Sequence, residues 1–283
     1  MPFKRILVAL DGSAYSQLAA EYGIWLATEL NASLSGQHVA DPRVVDMFIA
    51  PEFAEELGFT QSVDTSEKVF RAIKKIGGLI LELFSKEAFA HSLKTDTYLD
   101  VGYIKEEIIK RAADYDLTII GHCGRGQVPG VAEAVIGSVA ERVVVESAKP
   151  VLVALSAVRD VKEILVAYDG SEPARGALLL GERLAVSVDR PLKVITVISA
   201  NDQMPQAHLT VEQGEAYLHE FKDKKVFEIR EGLPASILLE QARVSGGLLV
   251  LGAYGYRQPD ATVLGSTTTH VLRRAQTSVL VYR

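Results

Sequence analysis

Two periods organise the apolar positions of this chain. Short, nearly continuous apolar runs read as strands buried on both faces. Stretches with apolar residues three and four apart read as amphipathic helices. In the first half the runs predict strands at Arg5–Leu10, Ser33–Val39, Thr95–Asp100, Leu117–Gly121 and Val151–Leu155. Helices are predicted over 14–29, 64–90, 104–115 and 138–145. In the long helix Val69, Ile73, Ile76, Ile80 and Leu83 step by four, three, four and three. Gly77-Gly78 weakens it, each glycine costing about 1 kcal/mol against Ala. Residues 41–60, with Pro42 and Pro51, read as irregular with one short helix.

The second half repeats the order. Strands are predicted at Glu163–Ala167, Lys193–Ile198, Val226–Arg230, Leu248–Gly252 and Ser278–Tyr282, and helices over 173–188, 210–222, 234–244 and 267–274. The wording repeats too: Ile6-Leu7-Val8-Ala9-Leu10-Asp11-Gly12-Ser13 returns as Ile164-Leu165-Val166-Ala167-Tyr168-Asp169-Gly170-Ser171. A repeat of domain size points to tandem duplication. Strands alternating with helices mean βαβ units and a parallel sheet. The expected fold is α/β, with two tandem doubly wound domains, each a five-stranded parallel sheet flanked by helices. The boundaries read as 1–156 and 157–283, joined by a linker at 156–161. Offsets between copies fall from 158 at Asp11/Asp169 to 130 at Gly102/Gly232, so the first half carries 28 extra residues, within about 41–95.

Composition narrows the partners. The chain has 283 residues, 48% of them hydrophobic, and a net charge of -6. All of that charge falls in residues 1–156, which hold 15 Lys+Arg against 21 Asp+Glu. No basic tract is visible, so a nucleic-acid partner is not expected. A single cysteine, Cys123, allows no intramolecular disulfide and fits a reducing compartment. The N-terminal apolar run is shorter than the roughly 7–15 residues of a signal core, and no run approaches the ~18 of a membrane span. The expectation is a cytoplasmic protein.

In an open α/β sheet, ligands bind beyond the carboxyl ends of the strands, where the strand order reverses. Asp11 and Asp169 end the first strand of each half, and Gly121 and Gly252 the fourth. Gly121-x-x-Gly124 with Gly137-Ser138 answers Gly252-x-x-Gly255 with Gly265-Ser266. Glycines let backbone N–H groups approach a phosphate, and a helix start favours an anion. A strand-end carboxylate can accept from sugar hydroxyls. These residues point to a nucleotide pocket. The plainer reading is that each Asp caps the first helix and the glycines make turns.

Gly252-Ala253-Tyr254-Gly255, then nine residues, then Gly265-Ser266, resembles the ATP-binding pattern of the universal stress proteins. Asp169 at the end of an opening strand and the apolar closing strand belong to the same pattern, and the resemblance covers both halves. It implies a Rossmann-like fold of the adenine nucleotide alpha hydrolase type and a stress sensing or signalling role. It implies ATP as ligand, with or without magnesium. By position, Asp169 would contact the adenosine part, with Val197 beside the adenine. Gly252, Gly255 and Arg257 would line the phosphates, and Gly265, Ser266 and Thr267 would hold them from the other side. The resemblance also implies that the closing strands 151–155 and 278–282 pair, making an intrachain pseudo-dimer. A further homodimer is compatible with it.

The first half departs from the pattern. Twelve residues, not nine, separate Gly124 from Gly137, and Gly126 stands opposite Arg257, with Arg125 adjacent and Pro129-Gly130 following. Weak or absent ATP binding is expected there, using Asp11, Val39, Gly121, Gly124, Gly137 and Ser138 where it occurs. Asp116, before the fourth strand, falls opposite Gly247. This loss should affect a turn rather than the pocket.

Other candidates are weaker. His122 and Cys123 are adjacent, but no second Cys/His pair at zinc spacing follows, so no zinc site is expected. His208 and His219, with Glu212 or Glu215 as a third ligand, read as solvated side chains. No nucleophile elbow and no P-loop sequence are present. Any ATPase or nucleotide-transfer activity should be slow. An alternative is an apolar metabolite in the first half, under a cover made by the long helix and the 41–60 segment, with Phe48, Phe53 and Leu57.

Overall fold

The structure is a computed structural model and describes residues 2–44, 63–124, 136–221, 225–255 and 264–283. The first half runs β1 (Arg5–Ala9), α1 (Ala14–Leu30), β2 (Ser33–Ala40), α2 (Val63–Ala90), β3 (Thr95–Val101), α3 (Ile104–Ala112), β4 (Leu117–Gly121), α4 (Ser138–Glu146) and β5 (Val151–Ala154). The second runs β6 (Glu163–Ala167), α5 (Glu172–Ser187), β7 (Leu192–Ile198), α6 (Met204–Tyr217), β8 (Phe227–Glu231), α7 (Pro234–Ser245), β9 (Gly247–Gly252), α8 (Ser266–Arg274) and β10 (Val279–Tyr282).

All ten strands form one sheet, in the order β3-β2-β1-β4-β5-β10-β9-β6-β7-β8. Within each half every pairing is parallel, and the order reverses between the first and fourth strands, as the doubly wound reading requires. The halves meet at an antiparallel seam, where Val279, Leu280 and Val281 of β10 pair with Val153, Leu152 and Val151 of β5. The strand directions therefore oppose across the seam, and the carboxyl ends of the two halves lie at opposite ends of the sheet.

Alternation along the strands separates two core layers. Ile6, Val8, Leu152, Ile164, Val166, Leu248 and Leu280 face one layer, which is filled by α1, α2 and α5. Ala9, Ile120, Val151, Val153, Leu165, Leu249, Val279 and Val281 face the other, beneath α3, α4, α7 and α8. Both layers run unbroken across the seam. The repeat is visible in packing as well. A Cβ on Gly23 would lie 2.5 Å from Val8 Cγ2, and one on Gly181 2.4 Å from Val166 Cγ2. In each half only glycine lets the first helix sit this close to the first strand.

The second helix pairing shows where the halves diverge. α2 has 28 residues and α6 has 14. α6 begins at Met204, earlier than the expected 210, because Pro205 sits in its first turn, where its missing N–H costs nothing. The 3-10 turns at Val158–Asp160 and Asn201–Gln203 were not expected from the sequence. Most of the irregular 41–60 stretch, including Phe48, Phe53 and Leu57, lies outside the described residues. At the amino end of β4, Asp116 Oδ2 accepts from the backbone N–H groups of Lys4 and Arg5 at 2.9 and 3.0 Å. In the second half the turn is made instead by Gly246, in the left-handed region at φ 67°, whose carbonyl accepts from Lys162 N–H at 2.9 Å.

Candidate functional site

The Asp-Gly-Ser turn ends the first strand of each half identically. Gly12 and Gly170 adopt φ of 79° and 82°, which disfavours any side chain. Ser13 and Ser171, not the aspartates, cap the following helices: their hydroxyls accept from Ser16 N–H and Ala174 N–H at 3.1 and 3.4 Å. Asp11 Oδ1 accepts from Ser13 N–H at 2.8 Å, and Asp169 Oδ1 from Ser171 N–H at 2.9 Å. This holds the second carboxylate oxygen toward the glycine loop. A Cβ on Gly124 would lie 3.3 Å from Asp11 Oδ2, and one on Gly255 only 2.8 Å from Asp169 Oδ2.

The other glycines admit the backbone close to the sheet's end. A Cβ on Gly121 would meet the Tyr15 carbonyl carbon at 2.7 Å, and one on Gly252 that of Pro173 at 2.8 Å. The loop returns through Gly137 and Gly265, whose N–H groups donate to the carbonyls of His122 and Ala253 at 2.8 and 2.9 Å. These two glycines are also the N-caps of α4 and α8, and neither helix has a side-chain cap. The first-turn N–H groups, at exposed Ser138 and Ser266, therefore face the crevice with the positive end of the helix dipole. Thr268, one residue past Thr267, donates its hydroxyl to the Gly252 carbonyl at 2.9 Å and ties α8 to the loop.

In the first half these parts enclose a cavity of about 290 Å³. Asp11, Val39, Gly121, Gly124, Gly137 and Ser138 all line it. In the second half Asp169, Gly252, Gly255, Gly265 and Ser266 occupy the matching positions. Val197 corresponds to Val39 in strand register, since Gln37 pairs with Ala9 as Ile195 pairs with Ala167. Arg257 lies outside the described residues, as do Arg125, Gly126, Pro129 and Gly130.

Sequence reasoning missed the cavity's floor. Gln37, Ile104, Ile108 and Ile120 line it. The signal was available in the period of β2, which puts Gln37 and Val39 on one face and His38 on the other. Gln37 is buried, and its Nε2 donates to Asp100 Oδ2 at 2.8 Å and to the Glu107 carbonyl at 3.0 Å. Its Oε1 is buried without a hydrogen-bond partner among the described residues. Arg111 grips the same Asp100 from the other side, at 2.7 and 2.9 Å. Burial pushes the Asp100 carboxyl up, but the hydrogen bonds from Arg111 and Gln37 more than offset this and hold it below its usual value. The matching floor residue in half two is Ile195.

Among the described residues no α2 side chain lines the cavity. α2 packs on the opposite face, where Gly77 approaches His38. His122 is wholly buried. Its Nε2–H donates across the seam to the Leu272 carbonyl at 2.8 Å, while Nδ1 lies 3.1 Å from Cys123 Sγ. Burial lowers the His122 pKa and raises that of the Cys123 thiol. His208 and His219 are exposed. Among the described residues no three His, Cys, Asp or Glu side chains gather as a metal site, and no helix is long and apolar enough to cross a membrane.

A continuous sheet with two crevices of one design, each at a strand-order reversal, defines a tandem doubly wound α/β protein. The chain belongs to the universal stress protein family: the family profile matches residues 2–154 and 160–283. Universal stress protein Slr1230 of Synechocystis is 27% identical over 295 residues, covering 99% of this chain and all of that protein. Universal stress protein YxiE of Bacillus subtilis is 29% identical over 158 residues, covering 53% of this chain and 98% of the relative. A universal stress protein from Archaeoglobus fulgidus shares the fold at a TM-score of 0.74 and 20% identity, covering 99% of this chain and 98% of that one.

Proposed function

We propose that the chain is an adenine-nucleotide-binding stress protein, in which occupancy of the crevices biases a signalling surface. The observation that carries this reading is the convergence, twice, of a strand-end carboxylate, a glycine loop and an uncapped helix start. Each half would bind adenosine between the Asp and the second strand's valine, with phosphate at the helix start. Asp169, Val197, Gly252, Gly255, Arg257, Gly265, Ser266 and Thr267 would serve the second half. We take the β5–β10 seam as the intrachain counterpart of a dimer contact.

The half-one cavity sits at the lower limit of the ~300–1,000 Å³ usual for small-molecule sites. That suits a nucleoside. Its apolar walls also suit a small apolar metabolite, but such a ligand would make no use of the Asp11 carboxylate or of the helix start.

Photolabelling of the full chain with 8-azido-ATP, followed by peptide mapping, tests the reading. Labelled peptides from both halves, protected by excess ATP, are expected. No protectable label in either half overturns it. Mass spectrometry of protein purified under native conditions separates a retained nucleotide from a retained apolar metabolite.

A further inference from the structure

The half-one cavity, at about 290 Å³, is of nucleoside size, so phosphates carried by that nucleoside would extend along the helix start at Ser138. A second cavity, of about 710 Å³, begins there. It shares Ile104, Ser138 and Val139 with the first and runs along the seam between α4 and α8. Four cationic side chains line it, namely Arg43, Lys105 and Arg142 from the first half and Arg273 from the second. Among the described residues Glu141 is the one carboxylate that lines it. Three of the four cations belong to the half whose overall charge is negative.

We propose that this seam groove binds the phosphate end of the nucleotide whose adenosine fills the half-one cavity, with Arg273 contributing from the other half. The inference rests on reading the cavity as a nucleoside site. It brings a cation from the other half into the role expected of Arg257, at whose position the first half has Gly126. Arg273 reaches the groove because the strand directions oppose across the seam. α8 starts at the second half's crevice and ends beside the first's.

The groove's cations already have partners. Arg273 meets Glu141 across the seam at 2.9 Å, Arg142 pairs with Glu146, Arg43 with Asp41 and Lys105 with Glu106. Arg273 is about half exposed and Glu141 about a third. Pairs this open contribute little to stability, so a polyphosphate of higher charge can displace the carboxylate at small cost. Guanidinium groups also take phosphate oxygens two at a time, which an ammonium cannot.

The test compares ATP with adenosine on the full chain, read at half one by competition against 8-azido-ATP labelling. Wild type should prefer ATP. Arg273→Ala should weaken ATP about tenfold and leave adenosine unchanged, which also reports an intact fold. Glu141→Gln should strengthen ATP by freeing Arg273. A merely structural role for the ion pair would move both variants in the same direction. An ATP-to-adenosine preference that survives Arg273→Ala overturns the proposal alone. Failure of both ligands to compete at half one overturns the nucleoside reading with it.

Discussion

The imidazole of His122 donates to the carbonyl of Leu272 at 2.8 Å, joining the glycine loop of one half to the last helix of the other. A carbonyl only accepts, so Nε2 carries the proton and neutral Nδ1 faces the Cys123 thiol. Protonation puts a second N–H against a thiol in a fully buried site. Burial accordingly holds the folded-state pKa below 6.5. Above pH 6.5 neither folded nor unfolded imidazole is charged, and the stabilisation is complete. As pH falls below that value the unfolded state takes up the proton first and stability is lost, until the lowered folded pKa is passed. Urea midpoints between pH 5 and 8 should fall in this window for wild type and change less for His122→Asn. His122→Ala should cost ~1–3 kcal/mol by leaving the Leu272 carbonyl unpaired.

Cys123 is buried, and its thiol pKa is raised by that burial. Only the thiolate reacts. Reaction with an aromatic disulfide reagent at pH 8 should be slow in the native protein and fast in urea. Prompt native reaction would mean that the loop opens far more often than the packing implies.

Gly23 and Gly181 should be irreplaceable in parallel. An added methyl at either position overlaps a valine of the first strand, at 2.5 and 2.4 Å. Gly23→Ala and Gly181→Ala should each cost ~1–3 kcal/mol in denaturant unfolding. The double variant should be additive, since the sites lie in separate halves.

Gly255→Ala and Gly124→Ala make an unequal pair. The first places a methyl 2.8 Å from Asp169 Oδ2, the second 3.3 Å from Asp11 Oδ2. Photolabel yield at half two should collapse in Gly255→Ala. Half-one yield should fall by a smaller factor in Gly124→Ala.

Gln37 puts a buried amide at the half-one floor, where half two has the methyls of Ile195. A ligand amino group that reaches Gln37 Oε1 satisfies a buried atom which otherwise costs ~1–3 kcal/mol. Gln37→Ile should weaken ATP about tenfold at half one and reduce its discrimination against the inosine analogue. Titration of both triphosphates checks this.

The strands were legible because those buried on both faces must be apolar throughout. The Asp-Gly-Ser turn and the glycine spacing were legible because few other residues can make those turns. What escaped depends on register or on distant chain. The floor position of Gln37 follows from the pairing of Ala9 with Gln37 and from the seat of α3, neither of which a local pattern states. The tie from His122 to Leu272 spans 150 positions. Loop lengths drew attention to the second half, whereas the described cavity in the first owes its shape to β2 and α3.

The opposed strand directions give α8 two addresses. Its first residue, Ser266, opens at one crevice, and Leu272 and Arg273 end at the other. With nine residues it is roughly 13 Å long. A helix that short behaves as a strut. Whatever shifts its start along the axis moves the carbonyl held by His122 by a similar amount. Two crevices at opposite ends of one sheet thus share one rigid element.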